Sequence, residues 1–432
     1  MLCSSFNISR LAIPMVCALI SFLAYTSLYF FKYFEPARLR EGEVWRINIF
    51  ALCIWVCYYR TCTVNPGHIP RQWRPLDNKQ LEADRASGRQ RWCRRCEAFK
   101  PPRAHHCRTC QRCIPKMDHH CPWTSNCVSH FTFPHFVRFL FWAVVGMSYL
   151  ETLLFERGSI VWASRNLPSY LGPSVVQIVH LFVLFVVNSL TVFVLLILLV
   201  RTLYSLGANT TTIESWEIER HETLLRRSRH YGGYLEGPGG VQIRLKKQEF
   251  PYDIGIWSNI REGMGGSANV LSWFWPFART PDRSTGLEFE VNGFEDSNVS
   301  WPPPDPDRIP LPPKDLRDSV ALAGAETSGF DIQAFNHRKA EDLRRQRAGL
   351  AIERRKRFHK RLEEEIEEDE SPQSEGANEK ESDHGEEGWR NSEGERLRDF
   401  GVDEDIEFYD EEDLPLGVLI QRRAQAALKE LV

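Results

Sequence analysis

Two long stretches of the sequence contain no charged side chain. Leu11–Phe31 runs for 21 residues and Val175–Val200 for 26 without Asp, Glu, Lys or Arg. At about 1.5 Å per residue, roughly 20 residues cross the hydrocarbon core of a bilayer. Both stretches therefore read as transmembrane helices, and a single compact soluble domain is excluded. The first lacks a following small-residue cleavage site and is longer than a signal-peptide core, so it reads as a retained span. Internal repeats are absent, and no cysteine follows Cys127. Net charge is almost absent too, at −3 over 432 residues. That rules out a uniformly basic nucleic-acid-binding chain. A hydrophobic content of 43% rules out a collagenous or wholly disordered one.

The small net charge is a sum of opposites. Residues 1–250 hold 30 Lys/Arg against 16 Asp/Glu, a net +14, and residues 251–432 hold 24 against 41, a net −17. The mean hydropathy of −0.36 averages these unlike parts. Two shorter apolar runs lie between the strong spans. Ile47–Val64 is interrupted by Arg60, which can snorkel to an interface, and Phe139–Phe155 contains Glu151 near its end. The alternative for these two is a buried soluble helix.

Taken as spans, they predict an α-helical polytopic membrane protein with four transmembrane helices. Helices one and two then fall in 11–64, a loop in 65–138 and helices three and four in 139–200. A juxtamembrane region follows over 201–277 and a tail over 278–432. The 65–138 loop carries 14 Lys/Arg and 156–174 carries two. The positive-inside rule places the long loop, and with four spans both termini, in the cytosol. The 32–46 loop, with four Lys/Arg and three Glu, dissents mildly. The sequons at Asn7, Asn209 and Asn298 then face the cytosol and read as chance matches. Within the tail, 338–361 holds 11 Lys/Arg and 363–387 holds 13 Asp/Glu with one Lys. Such blocks predict a largely disordered or solvated tail.

Seven of the twelve cysteines fall between Cys93 and Cys127. The cytosol is reducing, so metal is favoured over disulfides. Cys93-x2-Cys96 and Cys107-x2-Cys110 each offer two ligands from one tight turn, as zinc sites require. His105, His106, Cys113, His119, His120, Cys121 and Cys127 complete the cluster. Two closed Cys3His sites need six cysteines and two histidines, so one thiol is in surplus. Cys121, flanked by Asp118, His119 and His120, is either a further ligand or a nucleophile activated by an imidazole that a carboxylate orients.

Asp118-His119-His120-Cys121, in a cysteine-rich loop between the second and third of four spans, resembles the DHHC family of protein S-acyltransferases. Lys100-Pro101-Pro102-Arg103-Ala104-His105-His106-Cys107 and Cys121-Pro122-Trp123-Thr124-Ser125-Asn126-Cys127 extend the resemblance. So do Asn65-Pro66-Gly67, Thr211-Thr212-Ile213-Glu214 and Asn259, covering residues 11 to about 266 with a zinc-domain core over 91–141. Two positions depart: Asn65 replaces the usual Asp, and Thr132 stands where many members have Asn. The stretch Thr132-Phe133-Pro134-His135-Phe136 resembles a fungal branch resident in the endoplasmic reticulum membrane.

The resemblance implies two structural zinc ions. One set would be Cys93, Cys96, His106 and Cys113, the other Cys107, Cys110, His120 and Cys127. It implies Cys121 as the S-palmitoyl intermediate, His119 as its base and Asp118 as the group orienting that base. The acyl donor would be palmitoyl-CoA. The acceptors would be cysteines of membrane or membrane-associated proteins. Thr212 would contact the Asp118 region, and Asn259 would tie the C-terminal segment to Thr211–Glu214. Helix capping or loop bonding is the plainer account of both. Trp123 would be interfacial or lie near the acyl thioester, and His105 is left to packing. A membrane-anchored ubiquitin-ligase module fits less well, since it leaves Cys121 unexplained. A nucleic-acid-binding finger is disfavoured by its place between spans, so no nucleic-acid partner is expected.

Overall fold

The structure is a computed structural model, and it describes residues 9–35, 37–74, 92–166, 172–236, 242–293, 301 and 388–407. Contacts divide the chain into two units, Met1–Ile309 with His384–Val432, and Pro310–Asp383. The second unit, with the charge blocks at 338–361 and most of 363–387, lies outside the described residues, as do Asn7 and Asn298.

The N-terminal apolar run forms α1 (Ser9–Ser21) and α2 (Ser27–Lys32), joined by a wide π-helical turn over Phe22–Thr26. Then come α3 (Glu41–Thr63), α4 (Phe133–Ala163) and α5 (Val175–Ala208). Pro134 at the first turn starts α4, where its missing N–H costs nothing. A Ser174–Gln177 capping box starts α5, and Asn209 ends it in the left-handed region at φ 52°. Among the described residues, three helices are long and apolar enough to cross a membrane: Leu11–Lys32, Phe133–Ala163 and Val175–Ala208. Phe182, Leu190, Phe193 and Val200 of α5 stand exposed. An apolar surface of that extent is suited to lipid rather than water, which makes this a membrane protein. The expected second span forms α3. Its polar Asn48 and Arg60 keep it below the apolarity of the other three.

The loop after α3 folds into three short antiparallel hairpins. They pair β1 (Trp92–Cys93) with β2 (Ala98–Phe99), β3 (His105–Cys107) with β4 (Arg112–Ile114), and β5 (His119–Cys121) with β6 (Asn126–Val128). The third hairpin is seated on the end of α3. Asn126 donates to the Thr61 and Val64 carbonyls at 2.9 and 2.8 Å, and Tyr58 Oη donates to the Trp123 carbonyl at 2.9 Å.

After α5 come α6 (Thr212–His230), a hairpin of β7 (Tyr234–Glu236) with β8 (Gln242–Arg244), α7 (Ile256–Gly263) and α8 (Val270–Phe274). The tail does not conform throughout to the disorder expected of it. Residues 388–407 pack on the hairpins, forming a 3-10 turn at Leu397–Phe400 and a short α9 (Glu404–Glu407). Leu397, Phe400, Val402 and Ile406 are buried there. Composition hid this, because four apolar side chains are too sparse to signal a fold unless a partner surface is already present.

Candidate active site and metal centres

Strand alternation builds the site. Successive side chains in a strand point to opposite faces. In β5, His119 and Cys121 share one face, and His120 lies on the other. In β3, His106 and Cys107 likewise diverge. His106 pairs across the strands with Cys113, and His120 with Cys127. The central hairpin thus serves two clusters, one on each face. The Cys93, Cys96 and Cys113 sulfurs lie 3.3, 3.3 and 3.7 Å from His106 Nδ1. Those of Cys107, Cys110 and Cys127 lie 3.6, 3.5 and 3.5 Å from His120 Nδ1. Zinc bonds of about 2.3 Å to sulfur and 2.05 Å to nitrogen put tetrahedral ligands about 3.6 Å apart. Each cluster could hold a metal ion, with its four ligand atoms all within 4.8 Å of one another, and the donor chemistry fits zinc.

Cys121 stands outside both clusters. It is buried in an apolar group with Val128, Phe136, Leu140, Val144 and Leu199. His119 Nδ1 meets Asp118 Oδ2 at 3.0 Å. Burial opposes a charged His119, but the bonds to Asp118 and Cys121 outweigh it and push the imidazole up to about 10. Burial alone would raise the Cys121 thiol; hydrogen bonding to His119 and Thr124 holds it below its ordinary value. Burial also disfavours the Asp118 carboxylate, yet His119 and Thr212 keep its pKa low. Each group favours the charged form of its neighbour: Asp118 and Cys121 favour protonated His119, and His119 favours the anionic forms of both.

The Thr-Thr-x-Glu stretch divides its work. Thr211 and Glu214 form a reciprocal capping box at the start of α6, with Thr211 N–H to Glu214 Oε2 at 2.9 Å and Glu214 N–H to Thr211 Oγ1 at 3.2 Å. The Thr212 N–H donates to Asp118 Oδ1 at 2.5 Å, and its hydroxyl donates to the Asp118 carbonyl at 2.5 Å. A helix N-terminus favours an anion there. Asn259 donates to the Gly207 carbonyl at 2.7 Å and to Asp253 at 2.8 Å. Its tie therefore falls just ahead of Thr211–Glu214 rather than on it. Trp123 is 56% exposed, on the outer side of the Cys121 turn.

Both departures keep their local bonds. Asn65 Oδ1 accepts from the Gly67 N–H at 3.0 Å, an Asx turn. Gly67 has φ 101°, and a Cβ there would sit 2.7 Å from the Phe131 ring. Thr132 Oγ1 accepts from the Ser129 N–H and donates to the Cys127 carbonyl, at 2.9 and 2.6 Å. Asn209 is 4% exposed and bonded to Tyr252, so its sequon is inaccessible.

Sequence reasoning missed the ion pair behind the site. Arg103 grips Glu214 with two bonds of 2.6 and 2.8 Å and donates to the Asn209 carbonyl at 2.5 Å. Tyr252 and Phe289 cover its guanidinium at 4.4 and 5.0 Å. Both residues stand in quoted motifs, but nothing local pairs positions 111 apart. His105, left to packing, places Nδ1 3.3 Å from Glu407 Oε1.

A profile of the DHHC palmitoyltransferase family matches residues 86–219. Palmitoyltransferase pfa4 of Emericella nidulans is 73% identical over 429 residues, spanning 98% of this chain and 99% of that protein. Its counterpart in Aspergillus fumigatus is 72% identical over 98% of this chain and 100% of its own length. Palmitoyltransferase PFA4 of Gibberella zeae is 41% identical over 92% and 89%. Likeness of that degree along nearly the whole chain makes it a member of the DHHC palmitoyltransferase family.

Proposed function

We propose that this protein moves palmitate from palmitoyl-CoA to cysteines of membrane-associated proteins through an S-acyl Cys121 intermediate. The observation carrying this reading is a thiol outside both Cys3His clusters, beside a His119–Asp118 pair, within an apolar cluster that includes residues of α4 and α5. The thiolate attacks the thioester carbonyl carbon, and the departing CoA sulfur takes the proton held on His119. A substrate thiol then returns a proton to His119 as its sulfur attacks the acyl group, and Cys121 leaves as thiolate. Asp118 keeps His119 oriented through both steps and favours its protonated form before the first and after the second. The acyl chain lies along Phe136, Leu140, Val144 and Leu199, gaining about 0.8 kcal/mol per buried methylene. Zinc, held by the two Cys3His sets, supplies structural cross-links.

His119→Gln removes the cation that lowers the Cys121 thiol. Acyl-enzyme formation is then expected to fall about 10²- to 10⁴-fold near pH 7. It should climb as pH rises through the ordinary thiol range near 8.5, where the thiolate forms unaided. Rapid-quench measurement of the acylated protein from pH 6.5 to 9.5 tests this. A variant whose profile overlays that of the parent would remove His119 from the mechanism.

The four-span arrangement, with both termini and the zinc domain cytosolic in the endoplasmic reticulum membrane, takes α3 as the remaining span. Its 23 residues reach about 35 Å, and Trp45, Ile49, Leu52 and Tyr59 are exposed on its surface. Glycosylation acceptors inserted at 36 and at 168–170 should be modified, and one inserted at 78–80 should not. Modification of the 78–80 acceptor would overturn the topology.

A further inference from the structure

The tail segment 388–407 meets the zinc domain as a bound peptide meets a receptor. In sequence, 86 residues separate it from Trp301. Val402 forms an antiparallel bridge with Cys107. The Arg108 N–H donates to the Gly401 carbonyl, and the Asp403 N–H donates to the His106 carbonyl, both at 2.9 Å. These bonds extend the edge of β3, the strand whose His106 and Cys107 serve different metal clusters. Leu397, Phe400 and Val402 pack with Cys107, Cys127, Ile213 and Trp216, while Ile406 packs with Cys93 and Cys113. Anchors therefore reach cysteines of both clusters.

Polar contacts fix the register. Lys100 and Glu407 form an enclosed pair at 2.7 Å, and Arg95 meets Asp403 at 3.3 Å. The Trp216 indole donates to the Glu395 carbonyl at 3.1 Å and stands edge-on to Trp389. Gly401, at φ 85°, lies so close to β5 that an added Cβ would sit 2.6 Å from His120 Cβ. The segment thus presses on the ligand-bearing face of the strand whose other face carries His119 and Cys121.

We propose that residues 388–407 are a clasp, docked in cis by strand addition, that closes both metal sites and braces the Cys121 strand from behind. The docking face is a peptide-binding surface of the zinc domain, and the chain's own acidic, aromatic segment is its occupant. A clasp of this kind slows ligand opening, so its release is read in metal retention rather than in catalysis.

The test follows zinc loss from detergent-purified, zinc-loaded protein into excess EDTA. Full-length Gly401→Leu should release zinc about tenfold faster than the parent, the scale seen when groups supporting metal ligands are lost. A chain ending at Glu387 should show the same acceleration. A synthetic peptide of residues 388–407 should restore slow release to it, and a Gly401→Leu peptide should not. Equal release from Gly401→Leu and parent, or parental retention in the shortened chain, overturns the clasp. Should Gly401→Leu fail to fold, the peptide arm decides. Acyl transfer enters neither readout, so the clasp stands or falls independently of the role proposed for Cys121.

Discussion

Cys121→Ser abolishes hydroxylamine-sensitive labelling by a palmitoyl-CoA probe, while zinc content stays near two per chain. The expectation follows from geometry. Cys121 contributes to neither four-ligand set, so its loss leaves both clusters intact. A serine hydroxyl is isosteric enough to keep the apolar packing, but it ionises far less readily than a thiol, and the bonds from His119 and Thr124 hold the Cys121 thiol below its ordinary value. An ester on serine would also resist hydroxylamine under conditions that cleave a thioester. The measurement pairs gel fluorescence of the labelled protein with metal analysis of the same sample. Undiminished labelling in the variant would move the acyl group to another residue. Loss of one zinc equivalent would instead make Cys121 a ligand.

Arg103→Leu is expected to destabilise the protein by about 3–5 kcal/mol, the scale for removing one partner of a buried ion pair. The Arg103 and Glu214 side chains are 1% and 3% exposed, so water cannot compensate the stranded carboxylate. Glu262, 3.9 Å from Arg103, adds a second negative group to the vacated space. Arg103→Lys should recover only part of the loss, because an ammonium cannot reproduce the two-pronged grip or lie flat against Tyr252. The double variant Arg103→Leu/Glu214→Gln should be more stable than Arg103→Leu alone. Thermal unfolding in detergent resolves all three. An Arg103→Leu melting temperature equal to the parent's would refute the pair's role. The effect also reaches the site, since Glu214 caps the helix whose first amide holds Asp118.

The apolar runs were legible because crossing a bilayer sets a length that a single segment displays. The two Cys3His sets were legible as ligand chemistry because Cys-x2-Cys spacing is local. Their division came only with the resemblance, and its physical cause is strand alternation at His106–Cys107 and His119–Cys121. The lower apolarity of α3 was foreshadowed by Arg60 alone.

Local chemistry along the chain thus decided where helices and ligand pairs form. The Thr212–Asp118 contact, 94 positions apart, came only with the resemblance. Two features needed the tertiary structure: Arg103 finds Glu214 across 111 positions, and Lys100 finds Glu407 across 307. Neither of these pairings has a periodic or compositional signature. The segment 388–407 shows why most plainly: in isolation it is acidic and poor in apolar residues, and composition assigns it to solvent. Burial belongs to two surfaces together, and the second surface exists only once the zinc domain has folded.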